Sequence, residues 1–563
     1  MDTASRVLRA GAPEIVRSMS AGDQHPYAVM LRAGDFAQAV VDQRGVDVIV
    51  RVIAPDGTQI SEQDSPNGDA GTEPVAFLAR SAGTYRLIVQ TQPEGGVAPG
   101  ATYAIRLTSV QTASEHAAAL ALVRARADTT VTWLAAEALP IRSLTAGSGF
   151  ADLQPLKRVL RDARIVGLGE ATHGSREFFQ FKHRMLEFLV REMGFRVFAM
   201  EASFSAAENV INPWVLGGAG KPGPVLDSQG FWTWNTEEVR DLIAWMRAYN
   251  QSVPAARRVR FFGIDIQVND EARRTVLAYL RRVAPDRVKE ADSLFHVDVD
   301  SLGAIRFGPT PDSVQVRLAA KTLTDAATAY LQLSEFLTVN ERRFAARTSA
   351  AAASKAVRHA RVLAEYADAY SKVNAASLRD AYMAGTLKRF LDAEPASTRV
   401  VLWAHNGHIS HEPMTNSGRP LGSWLKRDYG SAYYAIGFSF GGGAFQARNF
   451  DPKAMPKMPL TEFTIPAPDE GSVDWMFGRV AERIGATTVF VNLRRPAASG
   501  VGPDWLAEPH QMATIGAMFQ DAWGPSMYTE PTVLRDAFDG IVYFRTTTRA
   551  RPNPTVPNVA GRK

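Results

Sequence analysis

The feature that most constrains this chain is a set of four apolar runs, each of which is followed directly by an acidic residue or a histidine. The runs cover residues 164–169, 196–200, 259–264 and 399–404, and longer stretches with a helical pattern separate them. Short apolar runs bounded in this way are typical of buried strands. Strands that alternate with helices predict an α/β domain with a mostly parallel sheet.

Six residues with carboxylate or imidazole side chains follow these runs. In an open α/β sheet, ligands bind beyond the carboxyl ends of the strands, so we expect the six to converge on one cleft. Imidazoles beside carboxylates are suited to general acid–base catalysis on water. The six residues are Glu170, His173, Glu201, Asp265, His405 and His408.

The N-terminal residues have a different pattern. Tyr85, Leu87 and Val89 share one face at the period of a strand, and turn signals such as residues 55–57 separate similar runs. Residues 10–110 therefore predict an all-β sandwich. Its order of strands and turns resembles the bacterial pre-peptidase C-terminal type domain, a module that usually accompanies secreted enzymes. We interpret it as an accessory domain without chemistry of its own.

Changes in composition indicate the other boundaries. Residues 111–140 are rich in Ala, Leu, Arg and Glu and predict a helical connector. Residues 141–547 form the predicted α/β hydrolytic domain, in which 311–394 are predicted to be a helical insertion. The Pro-rich end, 548–563, is predicted to be a disordered tail.

Composition excludes several classes of function. The 563 residues include no cysteine, which excludes disulfide scaffolds, thiolate nucleophiles and Cys-ligated metals. The formal net charge of +5 is dispersed along the chain, which argues against a nucleic-acid partner. No apolar run reaches the roughly 18 residues that a membrane span needs. The first residues lack an apolar signal core, but the sandwich favours an extracytoplasmic protein, periplasmic or secreted, whose signal has been removed; the cytoplasm is the alternative.

The sharpest motif is the turn Gly169-Glu-Ala-Thr-His-Gly174 between a predicted strand and a predicted helix. A helix-capping loop would explain such a turn structurally. A glutamate three residues before the histidine, with Glu201 at the end of the next strand, favours an active site instead.

This turn resembles the first motif of the erythromycin esterase family, and further motifs of that family follow in order over roughly residues 145–545. A basic residue is expected nine positions after the histidine, and Lys182 stands where the best-known esterases have arginine. Lysine offers a point charge rather than a bidentate contact. The other matches are Glu201, the segment 232–238 with Trp232 and Trp234, the strand end 263–267, the helix with Arg379, Asp380 and Met383, and the segment 403–408.

The resemblance implies a carboxylic-ester hydrolase that uses activated water and no cofactor or metal. Its substrate would be a small molecule, either a macrolide-type lactone or another bulky ester, cleaved without a covalent intermediate. His173 would be the general base, oriented by Glu170 and Glu201. The remaining implied catalytic residues are His405 and His408, which would polarise the ester carbonyl, and Lys182, which would add positive charge.

Substrate binding is implied for Trp232, Trp234, Asp265 and Arg379. Core packing is the alternative for the two tryptophans, and an internal salt-bridge network is the alternative for Asp265, Arg379 and Asp380.

Three other functions stay open at this point. The histidines and glutamates could hold a divalent ion, although no H-E-x-x-H helix occurs. The segment Gly437-Phe-Ser-Phe-Gly441 fits the G-x-S-x-G pattern of a serine hydrolase, with His510 downstream, but the glycines that follow are a poor helix start. A non-enzymatic protein that binds carbohydrate or envelope components is the third, because fold does not determine function.

Overall fold

The computed structural model describes residues 6–64, 69–92, 97–299, 301–302, 313–372, 374–414, 418–451, 454, 457–494 and 504–553. The N-terminal part consists of two mostly antiparallel sheets, with strand orders β1-β3-β8-β5-β6 and β2-β9-β4-β7. Tyr85, Leu87 and Val89 are buried between the sheets, as their period-two spacing predicts. The strands are β1 Arg6–Val7, β2 Ile15–Ser18, β3 Gln24–Leu31, β4 Phe36–Val46, β5 Val48–Ile53, β6 Gln59–Gln63, β7 Ala70–Leu78, β8 Gly83–Thr91 and β9 Val97–Gln111.

A long helix, α1 (Ala113–Glu137), follows the sandwich. It begins at a capping box in which the Thr112 hydroxyl accepts from the backbone N–H of Glu115 and the Glu115 carboxylate accepts from the backbone N–H of Thr112. Val131 and Leu134 are buried against the second half of the chain, so α1 connects the two halves by packing.

The second half contains an eight-stranded sheet in the order β10-β18-β22-β15-β11-β14-β12-β13. The pairs from β22 to β13 are parallel, and those of β10 with β18 and of β18 with β22 are antiparallel. The eight strands are β10 Leu139–Pro140, β11 Ile165–Leu168, β12 Val197–Ser203, β13 Arg260–Asp265, β14 Val400–Trp403, β15 Tyr433–Phe440, β18 Thr488–Asn492 and β22 Gly540–Phe544. A three-stranded sheet contains β16 Gly443–Asn449, β17 Leu460–Ile465 and β20 Met518–Phe519, and a two-stranded sheet contains β19 Pro509–Ala513 and β21 Thr529–Val533.

Helices cover both faces of this sheet because its strands are apolar on both sides. In β11, Val166 and Leu168 join one core with Phe178 and Phe179, whereas Ile165 joins the opposite core with Leu387. The helices after α1 are α2 Leu156–Val159, α3 Arg176–Met193, α4 Phe204–Ala206, α5 Asn212–Val215, α6 Pro222–Asp227, α7 Glu237–Ser252, α8 Asp270–Val283, α9 Val288–Phe295, α10 Ser313–Val339, α11 Glu341–Ala345, α12 Ala350–Tyr370, α13 Ala375–Asp392, α14 Asn406–Ile409, α15 Leu421–Tyr429, α16 Val473–Arg483 and α17 Leu534–Ala537.

A helical unit with its own core is present, but its limits differ from the predicted insertion at 311–394. Helices α8 and α9 share this core with α10–α12, although they precede the predicted insertion. Helix α13 instead packs on the sheet through Met383 and Leu387. The periodicity of apolar residues predicts helices but not which core each helix joins. The limits of the helical unit therefore could not be predicted from the sequence. Residues 311–312 lie outside the described residues.

The prediction of a disordered tail at 548–563 is wrong for residues 548–553. Ala550 is fully buried and its N–H donates to the Gly174 carbonyl oxygen at 2.8 Å, while Asn553 donates from its backbone to Asn235. Proline content suggested disorder, yet these residues satisfy backbone groups of the turn at 174 and of the segment before α7. Residues 554–563 lie outside the described residues. None of the described helices is both long and apolar enough to cross a membrane.

Candidate active site

Neighbouring parallel strands bring the six predicted side chains to one edge of the sheet. Leu168 in β11 and Met200 in β12 are both in register with Trp403 in β14, which lies between these strands. Glu201 lies within β12, and Glu170 and His405 follow β11 and β14 by two residues, so the three lie within one or two residues of the same level. The contacts below join all six side chains into one network.

Glu170 is fully buried and binds two basic side chains. Its Oε1 lies 2.8 Å from Nδ1 of His173, and its Oε2 accepts from Nζ of Lys182 at 2.7 Å. Lys182 is also fully buried, with Nζ 4.2 Å from the centre of the Trp403 ring, a cation–π distance. Burial lowers the pKa of Lys182 to about 8 against the opposing effect of Glu170.

The turn that carries Glu170 and His173 is held so closely that glycine is required at its ends. A Cβ on Gly169 would lie 2.1 Å from Oδ1 of Asn406, and one on Gly174 would lie 2.0 Å from the backbone oxygen of Gln446. Asn406 in turn bonds both backbone groups of Phe438 in β15. The small residues of the motif therefore serve close packing against β15, β16 and α14.

Glu201 and Asp265 share one guanidinium. Nη2 of Arg379 donates to Glu201 at 2.7 Å and to Asp265 at 2.6 Å, and Nε donates to Asp265 at 3.1 Å. Burial alone would raise the pKa of Glu201, but His408 and Arg379 outweigh burial and hold that pKa well below its usual value. Glu201 is therefore a carboxylate. The contacts of Asp265 and Arg379 are those of an internal salt-bridge network, which was the alternative to a role in substrate binding.

His408 is the cationic imidazole of the network. Its Nδ1 lies 2.7 Å from Asp380 and its Nε2 lies 3.2 Å from Glu201. Burial opposes its charge, but Asp380 and Glu201 raise the pKa of His408 to about 10. Its side chain is 22% exposed and that of Arg379 is 13% exposed, so both cations reach the solvent side of the site.

His405 has a different environment. Its Nδ1 accepts from the backbone N–H of Gly407 at 3.2 Å, and its Nε2 donates to the carbonyl oxygen of Ile515 at 3.2 Å. Burial, together with His173 and His408, holds the pKa of His405 well below its usual value. Both ring nitrogens are therefore occupied by the protein, and His405 is a neutral N-cap of α14 rather than a free donor.

The two predicted tryptophans differ in burial, since Trp234 lies in the core and Trp232 is half-buried. Trp234 is buried, donates from Nε1 to the Glu201 carbonyl oxygen at 2.7 Å, and packs edge-on against His173 with ring centres 5.3 Å apart. It supports the site from behind, as the core-packing alternative predicts. Trp232 is half-buried in the turn before α7, and its backbone oxygen accepts from Asn235.

The serine-nucleophile alternative is contradicted by the position of Ser439. This residue lies within β15, is fully buried, and donates from Oγ to Asp474 at 2.6 Å. No helix follows the segment in the described residues, since β15 continues into β16, so the strained elbow that exposes such a serine is absent there. His510 stacks on Trp505 and donates to its carbonyl oxygen.

The metal alternative finds little support in the contacts. Among the described residues, no group of three or more histidine, aspartate or glutamate side chains could hold a metal ion. Glu170 and Glu201 are each neutralised by a basic side chain, Lys182 and Arg379 respectively. A divalent ion prefers carboxylates that are free of such partners.

Sequence reasoning missed one contributor altogether. Ile515 accepts from His405 and donates its backbone N–H to the Ala171 carbonyl oxygen at 2.7 Å. It acts through its backbone and lies more than a hundred residues from the other motifs. No side-chain pattern could have indicated it.

The comparisons with known proteins agree with this architecture. A family model described as erythromycin esterase matches residues 190–547, which is more than half of the chain. The match begins after Glu170, His173 and Lys182, so these three join the site through the contacts described above. Erythromycin esterase type II of Escherichia coli is 25% identical over 386 residues, which cover 64% of this chain and 88% of that protein.

Two solved structures have a similar fold. A protein from Bacillus cereus is 24% identical with a TM-score of 0.63, over 76% of this chain and 99% of that one. An erythromycin esterase mutant in its open conformation is 19% identical with a TM-score of 0.54, over 75% of this chain and all of that one.

Proposed function

Since this chain belongs to the erythromycin esterase family of hydrolases, we propose that it hydrolyses a bulky ester with water as the nucleophile. A macrolide-type lactone is the substrate class that the names of its relatives suggest. The observation that carries the proposal is the state of His173. Glu170 binds its Nδ1, while no hydrogen bond from the described residues occupies Nε2, and the side chain is 11% exposed.

His173 would act as the general base. The carboxylate of Glu170 places the ring proton on Nδ1, which leaves the lone pair of Nε2 toward the solvent side. Nε2 would take a proton from water as the water oxygen attacks the ester carbonyl carbon. When the ester C–O bond breaks, that proton would pass to the leaving alkoxide. The products are an acid and an alcohol, and His173 returns to its neutral form.

Glu170 and Lys182 would stabilise the imidazolium that forms during this step. Because Lys182 already binds one oxygen of Glu170, the other oxygen is fixed toward His173. A buried carboxylate in this position stabilises positive charge on the ring and restricts its rotation. Trp234 restricts the ring from the other side.

His408 and Arg379 would supply positive charge to the oxyanion. Both are cationic and both reach the solvent side, and donors that are already oriented stabilise a developing negative charge most effectively. Of the two histidines implied in polarising the carbonyl, only His408 carries charge. His405 would instead position its neighbours, since its ring contacts that of His173 with centres 4.8 Å apart and its backbone N–H donates to Glu201.

A product assay tests this proposal. The purified protein is incubated in heavy-oxygen water with erythromycin, other macrolides and bulky synthetic esters, and the products are weighed by mass spectrometry. We expect an acid that carries the heavy oxygen in its carboxyl group. The intact protein is also weighed during turnover, because an acyl-enzyme would add the mass of the acyl group. A protein that carries an acyl group would contradict the water mechanism, and no product from any ester would contradict the esterase proposal.

A further inference from the structure

The C-terminal end of β6 in the sandwich is contacted by a loop of the second half of the chain. Strand β6 is the last strand of its sheet, and such an edge presents unpaired backbone groups. Glu62 of β6 forms a parallel bridge with Trp523. Beside it, the hydroxyl of Ser526 donates to the side-chain oxygen of Gln63, which is buried. The end of β6 therefore makes specific contacts with the second half of the chain.

The segment that makes these contacts, residues 514–528, includes the short strand β20, which pairs with β16, and is here called the roof loop. Its two ends are joined, because Thr514 donates from its backbone to the Tyr528 carbonyl oxygen at 2.8 Å. Phe519 packs between Trp523 and Tyr528, with ring centres 5.4 and 5.7 Å away. Met527 approaches the sandwich again, with its sulfur 3.2 Å from the backbone nitrogen of Asp64. The loop is thus a packed unit that can transmit a constraint from one end to the other.

The beginning of the roof loop lies against the active site. Ile515 forms a parallel bridge with Thr172, donates to the Ala171 carbonyl oxygen and accepts from the ring of His405. Ala171 and Thr172 directly precede His173. One short segment therefore fixes both the backbone before the proposed base and the ring that contacts it.

We propose that the N-terminal sandwich is a positioning module of the active site. The β6 edge holds the roof loop, and the roof loop holds the turn at 171–173 and the ring of His405. The structural part of this inference stands on the contacts alone, and its catalytic consequence rests on the proposed ester hydrolysis.

A hydrogen-exchange experiment on the full chain tests the structural part. Ser526→Ala removes the hydroxyl that binds Gln63, and Ser109→Ala is the matched control, because its hydroxyl binds Gln38 in the other sheet at 2.9 Å. We expect amide exchange in the peptide that contains Ile515 to become about fivefold faster in Ser526→Ala, the factor that corresponds to about 1 kcal/mol for one hydrogen bond. The control should match wild type, and Ser526→Thr, which keeps a hydroxyl, should restore protection.

Kinetics on any ester that the protein cleaves test the catalytic part. We expect kcat to fall several-fold in Ser526→Ala with KM unchanged, because the substrate does not contact this interface. Unchanged exchange at Ile515 would overturn the proposal, and so would faster exchange with an unchanged kcat. If wild type cleaves no ester, the proposed hydrolysis fails, and the exchange result alone still decides whether the sandwich holds the roof loop.

Discussion

Replacing Lys182 with methionine should destabilise the fold strongly and remove activity. Nζ of Lys182 lies 2.7 Å from Glu170 and both side chains have no solvent exposure. At an effective dielectric constant of about 20, two charges at this distance attract by about 6 kcal/mol. Desolvation of the intact pair offsets much of this, but the loss of one partner leaves the other charge buried and costs about 3–5 kcal/mol. Urea unfolding monitored by tryptophan fluorescence measures the change in the free energy of unfolding.

Two companion variants make the result interpretable. Lys157→Met removes a lysine that pairs with Glu192 at 2.6 Å on the surface, and it should cost far less stability than Lys182→Met because solvent screens the exposed pair. The double variant Glu170→Gln/Lys182→Met removes both buried charges and should recover at least about 1 kcal/mol of the loss. If Lys182→Met costs no more than Lys157→Met and the double variant recovers nothing, Glu170 and Lys182 do not form a buried ion pair and the account of how Glu170 is fixed is wrong.

Three further results follow from the site. Ser439→Ala should keep wild-type turnover, since this hydroxyl is bound to Asp474 inside a strand; a folded but inactive variant would restore the serine mechanism. The folded pKa of His408 is raised to about 10 from 6.5, so the stability it contributes is complete below pH 6.5 and is lost as the pH rises through 10. The difference in the free energy of unfolding in urea between wild type and His408→Gln should therefore decline over this pH range. A difference that stays constant with pH would refute this prediction. A chelator should leave kcat unchanged, because the buried carboxylates already have basic partners; a loss of kcat that one divalent ion reverses would establish a metal site.

The part of the site that lies at strand ends could be predicted from sequence. The apolar runs end just before Glu170, Glu201, Asp265 and His405. Because adjacent parallel strands are held in register by hydrogen bonds, residues at the ends of these runs are expected at the same edge of the sheet. The family resemblance likewise implied that Glu170 orients the His173 ring, and the two side chains are 2.8 Å apart.

Differences between chemically equal residues could not be predicted. His405 and His408 stand three residues apart in one motif, yet burial beside His173 keeps His405 neutral, whereas Asp380 and Glu201 keep His408 cationic. The contact of β6 with the roof loop was equally hidden, since Ser526 and Gln63 have no pattern in sequence that relates them. Charge state and domain contacts depend on tertiary neighbours, which a strand pattern does not contain.

The most direct test of the account is the turnover of His173→Ala on an ester that wild type cleaves. General-base catalysis contributes about 10²–10⁴-fold to rate, so kcat should fall by at least about a hundredfold while the urea midpoint stays close to that of wild type. Among the described residues, only Nδ1 of His173 has a hydrogen bond, and the side chain is 11% exposed, which is why the fold should tolerate the change. A folded His173→Ala protein that retains kcat within a few-fold of wild type would contradict the central claim that His173 activates the water.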